Sequence, residues 1–171
     1  FVFINFDDKA PPLADYLDQE TCSEAVNLTR PDVVAEIHRS FFAVGCDAVE
    51  TNTFGANEVV LAEFGLEKQT RAINRIAAGL ARQVAAEFET VERPRYVVGS
   101  LGPGTRLPSL GHTTFAALER SYHQQTLGLL DGDVDAILIE TCQDILQTKA
   151  ALAGVLDAFA ETGKRLPLMV Q

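Results

Sequence analysis

Short apolar segments alternate with amphipathic helical segments along this chain, and the alternation limits the folds that are open to it. Apolar, β-prone runs predict strands at 1–6, 47–51, 96–100, 135–140 and 166–171. Apolar residues at helical spacing predict the main helices at 31–44, 66–89, 115–130 and 144–162. Long helical connections between successive strands are typical of right-handed crossovers in a parallel sheet. The sequence therefore predicts an α/β fold.

Length distinguishes two kinds of parallel α/β fold. A (β/α)₈ TIM barrel typically takes ~250 residues, whereas this chain has 171. Residues 1–171 are expected to form one domain. The predicted strands supply about five of the eight β/α units of a barrel, so the domain is either part of a barrel or a smaller open sheet.

Composition and charge exclude several classes of partner. The net charge of -10 argues against nucleic acid or an anionic membrane as the main partner. No apolar run approaches the ~20 residues of a membrane span. The three cysteines, Cys22, Cys46 and Cys142, are odd in number and widely spaced, which is typical of reduced thiols in the cytoplasm. Their spacing matches no metal site, and we expect no stoichiometric zinc in these 171 residues.

Polar side chains follow two of the predicted strands at the point where each strand ends. Glu50, Thr51 and Asn52 follow one strand, and Glu140 and Thr141 follow another. Ligands of parallel α/β proteins bind at the carboxyl ends of the strands. A carboxylate there can accept hydrogen bonds from a substrate ammonium group, and the hydroxyl and amide groups can bind a substrate carboxylate. The alternative is structural: Glu50 caps the backbone amides of the next loop, and the threonines and Asn52 hold the loops.

Other candidate residues are less specific. Ser100 begins a glycine-rich loop, but no helix follows at once, so the loop does not match a dinucleotide-binding fingerprint. Its glycines more simply allow a close approach of backbone to a ligand or a neighbouring strand. His112 falls on the ligand side of the sheet, whereas His38 is expected on the helix surface or satisfied within its helix. Cys142 is expected to be a small buried thiol.

Several motifs together resemble the homocysteine-binding domain of the cobalamin-dependent methionine synthases. The resemblance runs from about Cys22 to the end of the chain, with the motifs in order and at similar spacing. The residues that carry it are 27–34 (Asn-Leu-Thr-Arg-Pro-Asp-Val-Val), 37–38, 45–57 with Glu-Thr-Asn-Thr-Phe at its centre, 99–103 (Gly-Ser-Leu-Gly-Pro), 139–141 (Ile-Glu-Thr), Asp144 and 149–151.

The resemblance implies a (β/α)₈ barrel that binds homocysteine and zinc at its carboxyl-terminal face. It implies that zinc holds the substrate as a thiolate, which attacks the methyl group of methylcobalamin. It also implies cobalamin- and folate-binding modules in the same enzyme. By the same resemblance, Glu140 holds the substrate amino group, and the pocket is lined by Thr51, Asn52, Ser100 and Thr141.

The chain departs from the family pattern in two places. The family opens with Asp-Gly-Ala-Met-Gly-Thr after its first strand, whereas this chain has Asn-Phe-Asp-Asp-Lys-Ala at 5–10. Asp7 is the expected counterpart of the family aspartate, without the glycines that surround it. The three zinc cysteines of the family lie beyond its fifth strand, so the cysteines of this chain are not their counterparts. The 171 residues alone are therefore expected to be inactive.

Two other functions remain open at this point. One is a cobalamin-independent homocysteine methyltransferase that uses a sulfonium donor such as S-methylmethionine. The other is a non-catalytic half-barrel that binds a partner or associates with itself, because open sheet edges and uncovered helix faces favour association.

Overall fold

The strands form one parallel sheet in chain order. The structure, a computed structural model, describes residues 13–18 and 21–171. Within them the four strands pair in the order β1–β2–β3–β4, all parallel. Their bounds are Ala48–Glu50 for β1, Tyr96–Leu101 for β2, Ala136–Ile139 for β3 and Leu168–Val170 for β4. The predicted parallel α/β sheet is confirmed. The strand predicted at 1–6, and Asp7 with it, lie outside the described residues.

Helices connect the strands as the periodicity predicts. Their bounds are Val26–Thr29 (α1), Pro31–Ala43 (α2), Glu58–Leu61 (α3), Thr70–Phe88 (α4), Phe115–Asp131 (α5) and Ile145–Thr162 (α6). Short 3-10 turns occur at Leu13–Tyr16, Ser23–Ala25, Ala62–Phe64, Glu67–Gln69 and Pro108–Leu110. The helix predicted from residue 66 thus begins with a 3-10 turn, and its regular part starts at Thr70.

Local sequence signals explain where the long helices begin and end. Pro31 occupies the first turn of α2, where a missing N–H costs no hydrogen bond. Gly45, just beyond α2, has a φ of 100°, a conformation that glycine adopts without strain. Asp144 caps α6 by accepting hydrogen bonds from the amides of Leu146 and Gln147. Gly163 follows α6 with a φ of 69°.

The two faces of the sheet have different neighbours. Val49, Val97 and Ile137 belong to the face that packs under the helices, in the main apolar core. The alternate residues, among them Glu50, Ser100 and Leu138, face the other way because side chains along a strand point to opposite faces. That second face becomes the interior in a closed barrel. The segment at 47–51 is therefore not buried throughout: Val49 is buried, whereas Ala48 and Glu50 are exposed on the second face.

The buried face of α2 includes a histidine. Val34, His38 and Phe42 are buried at intervals of four residues, whereas Val44 is 82% exposed. The surface position considered for His38 is therefore wrong. Burial lowers the pKa of His38 to about 4. Apolar residues flank the buried positions on both sides, so the sequence does not show which side of α2 is buried.

One face of α6 is apolar and exposed. Ile145 is 75% exposed and Leu156 is 46% exposed, and Leu146 and Leu152 share this exposure. Val170 on β4 is 51% exposed. Stripes of this kind on a helix normally pack against another element.

Close packing between α5 and α6 depends on Gly154. A Cβ built at Gly154 would lie 2.4 Å from the carbonyl oxygen of Glu119, whereas one at Gly79 in α4 would meet no atom within 4 Å. We expect Gly154→Ala to lower the free energy of unfolding by about 1–3 kcal/mol, because the helices must separate. Gly79→Ala, the matched control, should raise it by about 0.5–1 kcal/mol through helix propensity. Denaturant unfolding of both variants measures the difference, and equal effects would contradict the packing role.

The exposed stripe and the open edge of β4 predict how residues 1–171 behave when they are produced alone. We expect a self-associated oligomer or a poorly folded chain, because exposed apolar faces and unpaired strand edges favour association. Analytical ultracentrifugation and thermal unfolding measure this. A monodisperse monomer with a sharp transition would show that these units form a closed fold on their own.

Candidate functional site

Three polar side chains meet on the second face of the sheet, at the carboxyl ends of neighbouring strands. Glu50 ends β1, Ser100 lies near the end of β2, and Glu140 directly follows β3. The hydroxyl of Ser100 donates a hydrogen bond to Oε1 of Glu140 at 2.5 Å. The amide of Glu140 continues the ladder by donating to the carbonyl of Leu101 at 3.0 Å. The parallel register thus brings together three of the predicted site residues.

The two carboxylates influence each other. Partial burial, and then the nearby charge of Glu140, raise the pKa of Glu50. Within the described ranges 13–18 and 21–171, neither carboxylate forms an ion pair with a lysine, arginine or histidine. Two nearby like charges of this kind favour a cationic ligand between or beside them.

Thr51 and Asn52 lie away from this pair. Thr51 is 2% exposed, and its hydroxyl accepts a hydrogen bond from the amide of Ser100 at 3.1 Å. The side-chain amide of Asn52 donates to the carbonyl of Ser23 at 2.9 Å. Both side chains therefore hold the loop after β1 in place, which agrees with the structural alternative for these residues.

Thr141 has an unusual backbone conformation. It is exposed at the end of β3, with a φ of 57°. Positive φ is rare for a β-branched residue and often marks a functional site. Thr141 directly follows Glu140, so this exposed residue lies at the rim of the site.

A buried carboxylate that the sequence did not indicate holds the loop after β1. Oε1 of Glu24 accepts the amide of Gly55 at 2.7 Å, and a Cβ at Gly55 would come within 2.9 Å of the same oxygen. Burial raises the pKa of Glu24. The one signal for this contact is Gly55 itself, directly after Glu-Thr-Asn-Thr-Phe, because a glycine there permits close approach.

The glycine-rich loop after β2 allows backbone to pass close to its neighbour, as predicted. A Cβ at Gly102 would lie 2.7 Å from the ring and the carbonyl oxygen of Phe54. The amide of Gly102 donates to that carbonyl at 3.0 Å, and its own carbonyl accepts the hydroxyl of Tyr122 at 2.9 Å. The loop is thus fastened to the loop after β1 and to α5.

The cysteines do not form a metal centre. Cys46 precedes β1, whereas Cys142 follows β3, so they lie at opposite ends of the parallel sheet, and Cys22 is fully buried elsewhere. In the part of the chain that the structure describes, no group of three or more histidine, cysteine, aspartate or glutamate residues can hold a metal ion. The described residues therefore do not fit the zinc that the resemblance implies.

Cys142 corrects one expectation. The predicted small buried thiol is exposed, because the turn at Thr141 carries it to the rim instead of into the core. It lies beside a cavity of about 10 Å³ that is also lined by Tyr122, Glu140 and Gln147.

His112 is exposed in the loop after β2, and its Nδ1 accepts a hydrogen bond from the amide of Leu107 at 3.4 Å.

Comparison with known proteins identifies the family. The pattern that defines the homocysteine S-methyltransferase family matches residues 8–171. This chain belongs to the homocysteine S-methyltransferase family. The methionine synthase of Mycobacterium tuberculosis (strain ATCC 25618 / H37Rv) is 47% identical over 156 residues, which is 91% of this chain and 13% of that protein. The methionine synthase of Mycobacterium leprae (strain TN) is 46% identical over 158 residues, covering 92% of this chain and 13% of that protein.

Solved structures agree on the fold. The metallated form of the homocysteine methyltransferase MmuM from Escherichia coli has a TM-score of 0.68 at 22% identity, covering 87% of this chain and 58% of that one. Its apo form has a TM-score of 0.63 and covers 94% of this chain and 57% of the other. The similarity supports the assignment of the four-stranded sheet to a portion of the barrel of the homocysteine S-methyltransferase family. No helix in the described part of the chain is long and apolar enough to cross a membrane.

The raised pKa of Glu50 predicts a pH-dependent stability. Because the folded-state pKa lies above the ordinary carboxyl value, ionisation disfavours the folded state, and the contribution of Glu50 to stability decreases as the pH rises through that pKa. We expect Glu50→Gln to raise the melting temperature more at pH 7 than at pH 5. Calorimetry of the full-length gene product measures this. Glu92→Gln, an exposed control in the turn before β2, should show no such difference, and a pH-independent effect at Glu50 would contradict the interpretation.

Proposed function

We propose that this chain forms the homocysteine-binding part of a methionine synthase, with Glu140 and Glu50 receiving the substrate amino group. The observation that carries the proposal is the pair of carboxylates at the ends of β1 and β3, on either side of β2, without a cationic partner among the described residues. The substrate amino group is a cation at neutral pH, and it would relieve the repulsion between the two charges. Membership of the homocysteine S-methyltransferase family supports the choice of amino acid.

The two carboxylates have different roles in this proposal. Glu140 is 9% exposed and is held by the hydroxyl of Ser100, so it supplies a fixed acceptor for the ammonium group. Glu50 is more exposed, and its raised pKa makes its charge sensitive to what binds beside it. Binding of an ammonium group lowers the pKa of Glu50, because an opposite charge then offsets that of Glu140. Thr141 and Asp7 stay predicted pocket residues, the first at the rim and the second outside the described residues.

The rest of the reaction is assigned to the complete enzyme. By its resemblance to the cobalamin-dependent methionine synthases, we assign methyl transfer from methylcobalamin and activation of the thiol by zinc to that enzyme. The described residues contribute the amino-group site and no step of that chemistry. We also propose cobalamin- and folate-binding modules as partners within the same enzyme, because this chain spans only 13% of the length of the methionine synthases it matches. We place the enzyme in the cytoplasm, where free cysteines such as Cys142 stay reduced.

The alternatives are distinguished by specific observations. A sulfonium donor is the alternative for a homocysteine methyltransferase without cobalamin, but this chain is 47% identical to a methionine synthase and 22% identical to the E. coli homocysteine methyltransferase. The cobalamin-dependent reaction is therefore favoured. The alternative of a half-barrel that only associates with itself is supported by the exposed apolar stripe of α6. A further β/α unit of a complete barrel would cover the same stripe, so the stripe does not distinguish the two functions.

Substitution of Glu140 tests the proposal. Glu140→Gln keeps the shape of the side chain but removes the charge, so it should weaken homocysteine binding by roughly 1.5–3 kcal/mol, the contribution of a charge-assisted hydrogen bond. Isothermal titration of the full-length gene product with homocysteine measures the change. Glu89→Gln, at the exposed end of α4, is the matched control and should bind normally. Unchanged affinity of the Glu140 variant would remove Glu140 from the site.

A further inference from the structure

The backbone N–H and C=O groups of Ser100 are both held in a closed ring of hydrogen bonds. Its amide donates to the hydroxyl of Thr51 at 3.1 Å, and its carbonyl accepts the hydroxyl of Thr53 at 2.8 Å. The hydroxyl oxygens of Thr51 and Thr53 lie 2.6 Å apart. All three residues are buried, with exposures of 2% for Thr51, 0% for Thr53 and 0% for Ser100.

The direction of each bond in the ring follows from the number of available protons. A hydroxyl group donates one proton and accepts through its lone pairs. Thr53 donates its proton to the carbonyl of Ser100, so the proton between the two hydroxyls belongs to Thr51. Thr51 in turn accepts the amide proton of Ser100. Every donor in the ring therefore has one partner, and each hydroxyl has one orientation.

The ring is itself supported from the helix layer. The side-chain amide of Gln125 on α5 donates to the carbonyl of Thr53 at 2.7 Å, and Gln125 is fully buried. The hydroxyl of Ser100 is not part of the ring and donates to Glu140. The rigidly held backbone of Ser100 thus carries the hydroxyl that orients the carboxylate.

We propose that Thr51 and Thr53 are positioning residues that act on the substrate amino group through Ser100 and Glu140, a role that rests on the proposed function. Neither threonine contacts the ligand, because both hydroxyl groups are used within the ring. Loss of either hydroxyl leaves one polar backbone atom of Ser100 without its partner, and the backbone there shifts. The hydroxyl of Ser100 then no longer holds Glu140 in the orientation that receives the ammonium group.

Thr53→Val tests the proposal, because it removes the hydroxyl with little change in volume. We expect the KM for homocysteine in the full-length gene product to rise about tenfold, the size expected for one lost hydrogen bond that orients a charged group, with a smaller change in kcat. Thr53→Ser restores the hydroxyl and should restore the KM. Thr126→Val on α5 is the matched control: Thr126 is also 0% exposed, and its hydroxyl donates to the carbonyl of Tyr122 at 2.7 Å, within the helix.

A double-variant cycle separates positioning from a general loss of stability. If Thr53 acts through Glu140, Thr53→Val should raise the KM much less in a Glu140→Gln background than in the natural one. An undiminished increase there, or equal effects of Thr53→Val and Thr126→Val, would overturn the positioning role. If Thr53→Val does not fold, Thr51→Val and its serine rescue take its place, with the same expected results.

The same experiments keep this inference separate from the proposed function. Weak homocysteine binding by Glu140→Gln, together with a normal KM for Thr53→Val, would refute the positioning role alone. Normal binding by Glu140→Gln would refute the amino-group site itself, and the positioning role with it.

Discussion

The parallel register of β1, β2 and β3 determines which side chains can meet at the carboxyl ends of these strands. Glu50 pairs with Val98, and Ser100 pairs with Leu138 two residues before Glu140, so all three polar side chains fall on the same face. A shift of one residue in either pairing would direct a carboxylate into the apolar core under the helices. The site therefore depends on the same packing of Val49, Val97 and Ile137 that holds the sheet.

Most of the fold could be predicted from the sequence, because apolar periodicity and capping residues act locally. The helix from Pro31 to Ala43 and the strand from Tyr96 to Leu101 follow such signals. The placement of His38 could not be predicted, since several adjacent residues of α2 are apolar and the buried stripe depends on how the helix is rotated against α4. The orientation of Cys142 could not be predicted either, because it depends on the positive φ of Thr141.

The candidate site was predicted in part. Glu50, Ser100 and Glu140 do come together, but the sequence placed Thr51 beside them, and adjacent residues of a strand point to opposite faces. Alternation along the strand places Glu50 on one face and Thr51 on the other. The prediction missed this because all residues from Glu50 to Thr53 are polar and form one group in the sequence. The partners of Thr53 and Glu24 lie far away in sequence, so no local pattern could identify them.

The ring around Ser100 contains no ionisable group: it is formed by two hydroxyls and by the backbone N–H and C=O of Ser100. Its geometry is therefore independent of pH and of ionic strength, whereas the carboxylates that it serves respond to both. A neutral frame also adds no net charge to the site, so Glu50 and Glu140 are the charges that meet the ligand among the described residues. Recognition and support thus belong to different residues: the carboxylates at the ends of β1 and β3 supply the charge, and the threonines after β1 supply the rigidity.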